Sequence, residues 1–230
     1  MSVDRPENVD RLRDCQTEIG DPAYLHLRSL FADLKHASRY ARGRLLDIGC
    51  GNKPYAGMFA SRVSEHVGCD VVQSSESRVD FICPATALMV DDSSYDTVLA
   101  TQVIEHVADH RAMLCEAFRA LKDNGVLILS GPMYWPLHEE PYDYFRFTEY
   151  GLRYLVESIG FVVVEIKQNG GKWALCGQVI VHTITRTRLF RHCVLKTINR
   201  IFAFLDDRFP SRENPMNYVL VAYKPSGITR

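Results

Sequence analysis

The chain has 230 residues, 47% of them apolar and 24% charged, with a formal net charge of −1. That length suits a single domain with a substantial buried core. The near-zero charge gives no reason to expect a nucleic-acid binder, which is usually basic. Residues 1–20 read as a flexible polar lead and 21–230 as one domain. From Asp21–Pro22 onward, Leu25, Leu27, Leu30, Phe31 and Leu34 recur at helical spacing, which predicts a helix ending near Arg42–Gly43. Leu45, Leu46 and Ile48 then make a short buried strand that stops at Gly49-Cys50-Gly51. Pro54 suits a first helical position, and Gly57–Ala60 carry that helix on. Glycines in such a turn let the backbone pass close to a ligand. Asp47 stands at the carboxyl end of the strand, where open α/β sheets bind their ligands. The dinucleotide fingerprint needs a third glycine at position 54, and Pro54 there argues against NAD or FAD.

Val67–Asp70 reads as a second strand ending in an acid. It lies about 20 residues past the glycines, the spacing at which a carboxylate accepts hydrogen bonds from ribose hydroxyls. Val79–Cys83 follows as a third strand. The turn at Asp91–Ser94 leads into a fourth, 95–101, apolar on both faces as a covered parallel strand should be. Gln102 lies at its carboxyl end. A helix over 108–122 turns Met113, Leu114, Ala117, Phe118 and Leu121 inward, and Asp123–Asn124–Gly125 returns the chain to a fifth strand, Val126–Ser130.

Three stretches carry a resemblance: Leu46-Asp47-Ile48-Gly49-Cys50-Gly51, then Val67–Asp70, then Tyr95–Val107 with its Val103-Ile104-Glu105-His106. Together they resemble the class I S-adenosylmethionine-dependent methyltransferases, in the small-molecule branch of glycan and secondary-metabolite clusters. The resemblance covers roughly residues 25–170. It implies an α/β, Rossmann-like sheet of seven mostly parallel strands, with helices on both faces and an antiparallel last strand. It also implies S-adenosyl-L-methionine as cofactor, held by Asp47, Gly49, Gly51, Asp70 and Gln102. In the family an acid often contacts the adenine amino group where this chain has Pro84, so backbone groups around Cys83–Ala85 are expected to serve instead. Glu105–His106 is expected to order its loop, with His106 as a proton acceptor the lesser reading. The activity implied is methyl transfer to a small molecule or saccharide, with oxygen the expected acceptor atom. Carbon or nitrogen methylation, or a non-catalytic cofactor-binding regulatory subunit, are the alternatives.

The loop Gly131–Thr148 is aromatic, rich in titratable groups and just past a central strand, where function concentrates. Its run Asp143–Thr148 is similar to one in methyltransferases of cell-surface glycan clusters. Thr148 makes a good cap for a helix over Glu149–Ile159, with Gly160 at its end. A hydroxyl acceptor needs a base near the nucleophile; His138 is the first candidate, Asp143 the second and Glu139 the third. Tyr134, Trp135 and Arg146 are the expected acceptor contacts, although Asp143 and Arg146 would serve equally as an ion pair ordering the loop. His138, Glu139, Glu140 and Asp143 are divalent-ion ligand types, but no spacing among them fixes a geometry, and no metal is expected.

Phe161–Ile166 reads as a sixth strand and Asn217–Lys224 as the last. Between them, 170–215 is a long helical insertion. Its basic amphipathic helix, 186–204, carries Arg186, Arg188, Arg191, Lys196 and Arg200 among Leu189, Phe190, Leu195, Ile198 and Phe202. Such a helix packs on its own domain, on a homodimer mate or on a membrane surface. The seven cysteines show no metal spacing. Cys50, Cys69, Cys83 and Cys115 read as small buried hydrophobes. Free thiols in that number point to a reducing compartment. The first residues are polar and acidic, unlike a secretory leader, and Trp173–Thr185 is too short and interrupted to span a bilayer. The expected location is the cytoplasm.

Overall fold

The computed structural model describes residues 12–185 and 192–227. Arg186, Arg188, Leu189, Phe190 and Arg191 of the expected basic helix lie outside the described residues. The strands are β1 (Gly43–Ile48), β2 (Val63–Asp70), β3 (Phe81–Ile82), β4 (Tyr95–Thr101), β5 (Leu121–Pro132), β6 (Val162–Asn169) and β7 (Asn217–Tyr223). They form one sheet in the order β3-β2-β1-β4-β5-β7-β6. Neighbours from β3 to β5 pair in parallel, and β7 enters antiparallel to both β5 and β6. The expected Rossmann-like α/β sheet is present.

Period-two alternation divides the strands between two cores. Leu46, Ile48, Val98, Ala100, Leu127, Leu129, Leu220 and Ala222 face α3 (His110–Ala120) and α4 (Glu149–Ile159). Their neighbours Leu45, Leu99, Ile128, Val219 and Val221 face α1 (Tyr24–Ala37) and the short α2 (Ala56–Phe59). Both faces are covered, which is why the central strands read as continuous apolar runs. Asp109 caps α3 by accepting from the Ala112 amide at 2.9 Å, and Thr148 caps α4 by accepting from the Gly151 amide at 3.1 Å. Gly160 closes α4 in the left-handed region at φ 110°.

Several boundaries differ from those the sequence predicts. The third strand shrinks from Val79–Cys83 to two residues, because the Gln73 side chain takes both the amide and the carbonyl of Val79 at 3.0 Å each. Pro54 does not open a helix: Lys53 sits at φ 53°, so α2 starts two residues later at Ala56. The fifth strand begins at Leu121 rather than Val126, continuing past a register shift opposite Tyr95–Thr97.

In the insertion, α5 (Lys172–Thr185) and α6 (His192–Arg208) pack on α1 through Leu25, Ala174 and Ala203. Asn199 donates to the Ile19 and Asp21 carbonyls at 2.9 Å each, and Gln178 to the Pro22 carbonyl at 2.7 Å. These bonds fix the approach to α1, including part of the polar lead. The opposite face of α6 leaves Val194, Ile201 and Phe204 exposed. No helix among the described residues is long and apolar enough to cross a membrane.

Candidate active site

Two cavities open at the carboxyl ends of the central strands and share a wall made by Gly49, Asp70, Val103 and His106. The first, about 340 Å³, continues past Gly51, Thr101 and Gln102 to Trp135, His138 and Glu139. The second, about 410 Å³, continues past Val71, Cys83, Pro84 and Ala85 to Tyr142 and Tyr144.

The shared wall follows from strand-to-turn geometry. At the end of β1 the chain turns through Gly49 (φ 71°) and Gly51 (φ 49°), conformations that favour glycine. A Cβ on Gly49 would stand 2.5 Å from Val103 Cγ2, so the turn is packed against the segment after β4. At the end of β2 the Asp70 carboxylate accepts from the Gly51 amide at 3.1 Å and from the Val71 amide at 2.7 Å. Gln102, itself at φ 51°, is held by Ser130, whose hydroxyl accepts from the Gln102 side-chain amide at 3.0 Å. Asp47 is not part of the wall. It is buried one layer behind the turn, with His66 Nε2 at 2.9 Å from its Oδ2, and burial raises its carboxyl above the usual range. Its other oxygen, Oδ1, has no hydrogen-bond partner among the described residues, and neither cavity's lining includes Asp47. At Pro84 the expected backbone contact narrows: the Cys83 amide already donates to the Asp70 carbonyl at 2.9 Å, and proline has no amide hydrogen.

The loop after β5 folds back onto the segment after β4. Tyr144 and Phe145 donate their amides to the Glu105 carbonyl at 2.9 and 3.3 Å. This brings His138 to His106, with Nε2 atoms 3.0 Å apart. His106 Nδ1 lies 3.0 Å from the Tyr142 carbonyl, which can only accept, so the ring proton is on Nδ1 and Nε2 carries a lone pair. The same reasoning holds for His138, whose Nδ1 faces the Pro136 carbonyl at 3.2 Å and Asp143 Oδ2 at 3.3 Å. Either a proton or a cation must then lie between the two Nε2 atoms. Glu105 Oε1 is 3.9 Å from His106 Nε2. Apart from the approach of its own amide, the Glu105 carboxylate has no hydrogen-bond partner among the described residues, and burial pushes it up to about 8.

Of the expected loop residues, the structure brings His138, Trp135 and Glu139 to the cavity and leaves Tyr134, Asp143 and Arg146 outside its lining. Asp143 is a poor base. Burial alone would raise its carboxyl, but the Arg146 guanidinium and the His138 amide outweigh that and hold it at about 2. Arg146 grips Asp143 through two bonds, of 2.6 and 2.7 Å, and donates to the Trp135 carbonyl at 3.0 Å. The ion-pair alternative describes both residues better than acceptor contact does. Sequence reasoning left two wall residues out of the site. For His106 the sequence favours loop ordering over proton acceptance, and its Glu105–His106 pairing is the available signal. His26 on α1 also lines the first cavity, its ring 4.2 Å from that of Trp135. Burial lowers His26 to about 3, keeping it neutral.

A parallel sheet with a glycine turn after its first strand and a carboxylate after its second defines a Rossmann-like domain that holds a nucleoside-bearing ligand at its switch point. Residues 46–129 match the family model described as a methyltransferase domain. A probable S-adenosylmethionine-dependent methyltransferase of Mycolicibacterium smegmatis is 30% identical over 141 residues, 55% of each chain. A ubiquinone biosynthesis O-methyltransferase of Dinoroseobacter shibae is 32% identical over 110 residues, 43% of this chain and 44% of that one. The chain thus spans about half the length of the curated relatives it matches. An S-adenosylmethionine-dependent methyltransferase structure from Archaeoglobus fulgidus aligns with a TM-score of 0.57 at 19% identity, covering 84% of this chain and 92% of that one. Residues 46–129 thus match a methyltransferase domain, and the fold is similar to that of an S-adenosylmethionine-dependent methyltransferase. The residues of this chain fit the cofactor of such an enzyme: Asp70 presents a buried carboxylate at the wall, and Gly49 and Gly51 keep the turn beside it free of side chains.

Proposed function

We propose that this chain transfers the methyl group of S-adenosylmethionine to a hydroxyl oxygen of a small molecule or saccharide. The observation that carries the reading is the wall shared by the two cavities, since it joins the glycine turn and Asp70 to His106, and the first cavity runs on to His138. Bound against Gly49, Gly51, Asp70 and Gln102, the cofactor supplies an electrophilic methyl group, so the protein's task is positioning and removal of one proton. The second cavity, walled by Pro84, Ala85 and Val107, suits a flat apolar base. Trp135 and neutral His26 border the acceptor end, a mostly apolar pocket with a few polar groups. The histidine pair is where an acceptor hydroxyl loses its proton. The O-methyltransferase relative supports oxygen as the acceptor atom. All seven cysteines are free thiols, which supports a reducing compartment such as the cytoplasm.

The test is a screen of phenols, catechols and nucleotide sugars with radiolabelled cofactor, run with wild type and His138→Ala. The variant should lose turnover by about 10²–10⁴-fold while cofactor affinity stays near wild type. Transfer only to amines or carbon acids, or full activity in the variant, would overturn the assignment. Failure to bind either S-adenosylmethionine or its demethylated product would end the enzyme reading altogether.

A further inference from the structure

We propose that Glu105, His106 and His138 form a binding site for one divalent transition-metal ion at the acceptor end of the first cavity. The three side chains come from two segments that are far apart in sequence, and their ligand atoms lie within 4.8 Å of one another. Three observations point to a cation. The first is the contact itself: with each Nδ1 facing an oxygen acceptor, the two Nε2 atoms 3.0 Å apart need either a proton or a cation between them. The second is that spacing. Two imidazole–metal bonds of about 2.1 Å set their nitrogens about 3.0 Å apart at the right angle of a five- or six-coordinate ion and about 3.4 Å apart at a tetrahedral one, so a small opening of the pair suffices for either. The third is Glu105, a side chain 1% exposed. Its Oε1 lies 3.9 Å from His106 Nε2, so it must move closer to join the set, where its carboxylate would balance part of a dication's charge.

The surrounding groups match what holds metal-binding histidines in place. His106 gives its outer N–H to the Tyr142 carbonyl, and His138 gives its own to Pro136 and Asp143. Outer bonds of this kind fix the ring tautomer and orientation at metal centres. Arg146 in turn holds Asp143. Two imidazoles and one carboxylate favour zinc, manganese, iron or cobalt over magnesium and calcium, which prefer oxygen ligands throughout. Three protein ligands leave coordination positions open, and two of those ligands line the cavity. An ion there would bind the acceptor's hydroxyl oxygen and lower its pKa, the proton leaving to solvent through the cavity mouth. His138 then serves the reaction by holding the ion instead of taking the proton itself. This use of the ion rests on the O-methyl transfer reading; the site itself does not.

The test uses Co²⁺ as the probe, because its visible absorption reports nitrogen and oxygen ligation without any turnover. Full-length protein is stripped with a chelator, dialysed and titrated with Co²⁺, then back-titrated with Zn²⁺. One equivalent should bind and give a visible band that Zn²⁺ abolishes. His138→Ala, in a half-exposed loop residue, and Glu105→Gln should each weaken Co²⁺ binding at least tenfold. Calorimetry with S-adenosylhomocysteine should show both variants folded and binding as wild type does. A wild-type protein that takes up no stoichiometric Co²⁺ or Zn²⁺ overturns the site and leaves a shared proton between the histidines. Equal Co²⁺ affinity in wild type and in a folded His138→Ala variant overturns it too. Stoichiometric Co²⁺ binding without hydroxyl methylation would keep the site and discard the acceptor class.

Discussion

Replacing Asp70 would separate the structural task of its carboxylate from the cofactor contact proposed for it. One oxygen accepts from the Gly51 amide at 3.1 Å and the other from the Val71 amide at 2.7 Å, which sets the glycine turn against the end of β2. A carboxylate offers about four acceptor positions, more than these two amides take up. Hydrogen bonds to a charged group contribute roughly 1.5–3 kcal/mol each, and water competes for a ribose diol, so Asp70→Ala should weaken cofactor binding by roughly 1–3 kcal/mol. That is a rise in Kd of roughly 5- to 150-fold. The same change strands the buried Gly51 amide, so stability should fall by about 1–3 kcal/mol. Asp70→Asn keeps one carbonyl oxygen for an amide and should recover part of the stability but less of the affinity. Isothermal calorimetry with S-adenosylmethionine and S-adenosylhomocysteine reads the first effect, and urea unfolding reads the second. An Asp70→Ala protein that stays folded with Kd within about twofold of wild type would refute the ribose assignment.

Gly49→Val should abolish cofactor binding and lower the unfolding midpoint, since a β-branched residue is strained at φ 71° and its Cβ meets Val103 at 2.5 Å; unchanged turnover would show that the turn does not border the cofactor. Thr148→Ala removes the bond to the Gly151 amide that caps α4 and should cost about 1 kcal/mol in urea unfolding, with no change in cofactor Kd. His26 should make stability pH-dependent. The unfolded chain takes up a proton there below about 6.5, whereas the folded protein, with its imidazole lowered to about 3, does not. Stability attributable to His26 is therefore complete above that range and falls as pH drops, by roughly 2 kcal/mol between pH 6.5 and 5. His26→Gln should flatten that part of the profile; an identical slope in the two proteins would count against a buried neutral imidazole.

The fold was legible because its signals are local. The apolar runs at 45–48, 95–101 and 126–130 each end at a turn residue, and covered parallel strands need such runs. The same locality placed Gly49, Gly51, Asp70 and Gln102, whose positions follow from where a strand stops. Boundaries failed where a side chain replaced a ladder bond. Nothing in Val79–Cys83 announces that Gln73 will take the Val79 amide and carbonyl, and that exchange is what leaves β3 only two residues long.

The acceptor end failed for a different reason, visible in Arg146. An acid and a base three residues apart in an aromatic loop fit either a substrate clamp or an ion pair. What decides between them is the Trp135 carbonyl, 3.0 Å from Arg146 Nη2, a contact to a backbone atom that no residue type advertises. With that bond made, the guanidinium ties both ends of the loop together and holds Asp143 against the His138 amide. The loop then has one way to close, over the Glu105 carbonyl, and closing it carries His138 to His106 across 32 residues of sequence. Arg146 thus sets the position of His138, and a sequence shows the residues of such a chain of contacts without showing that they meet.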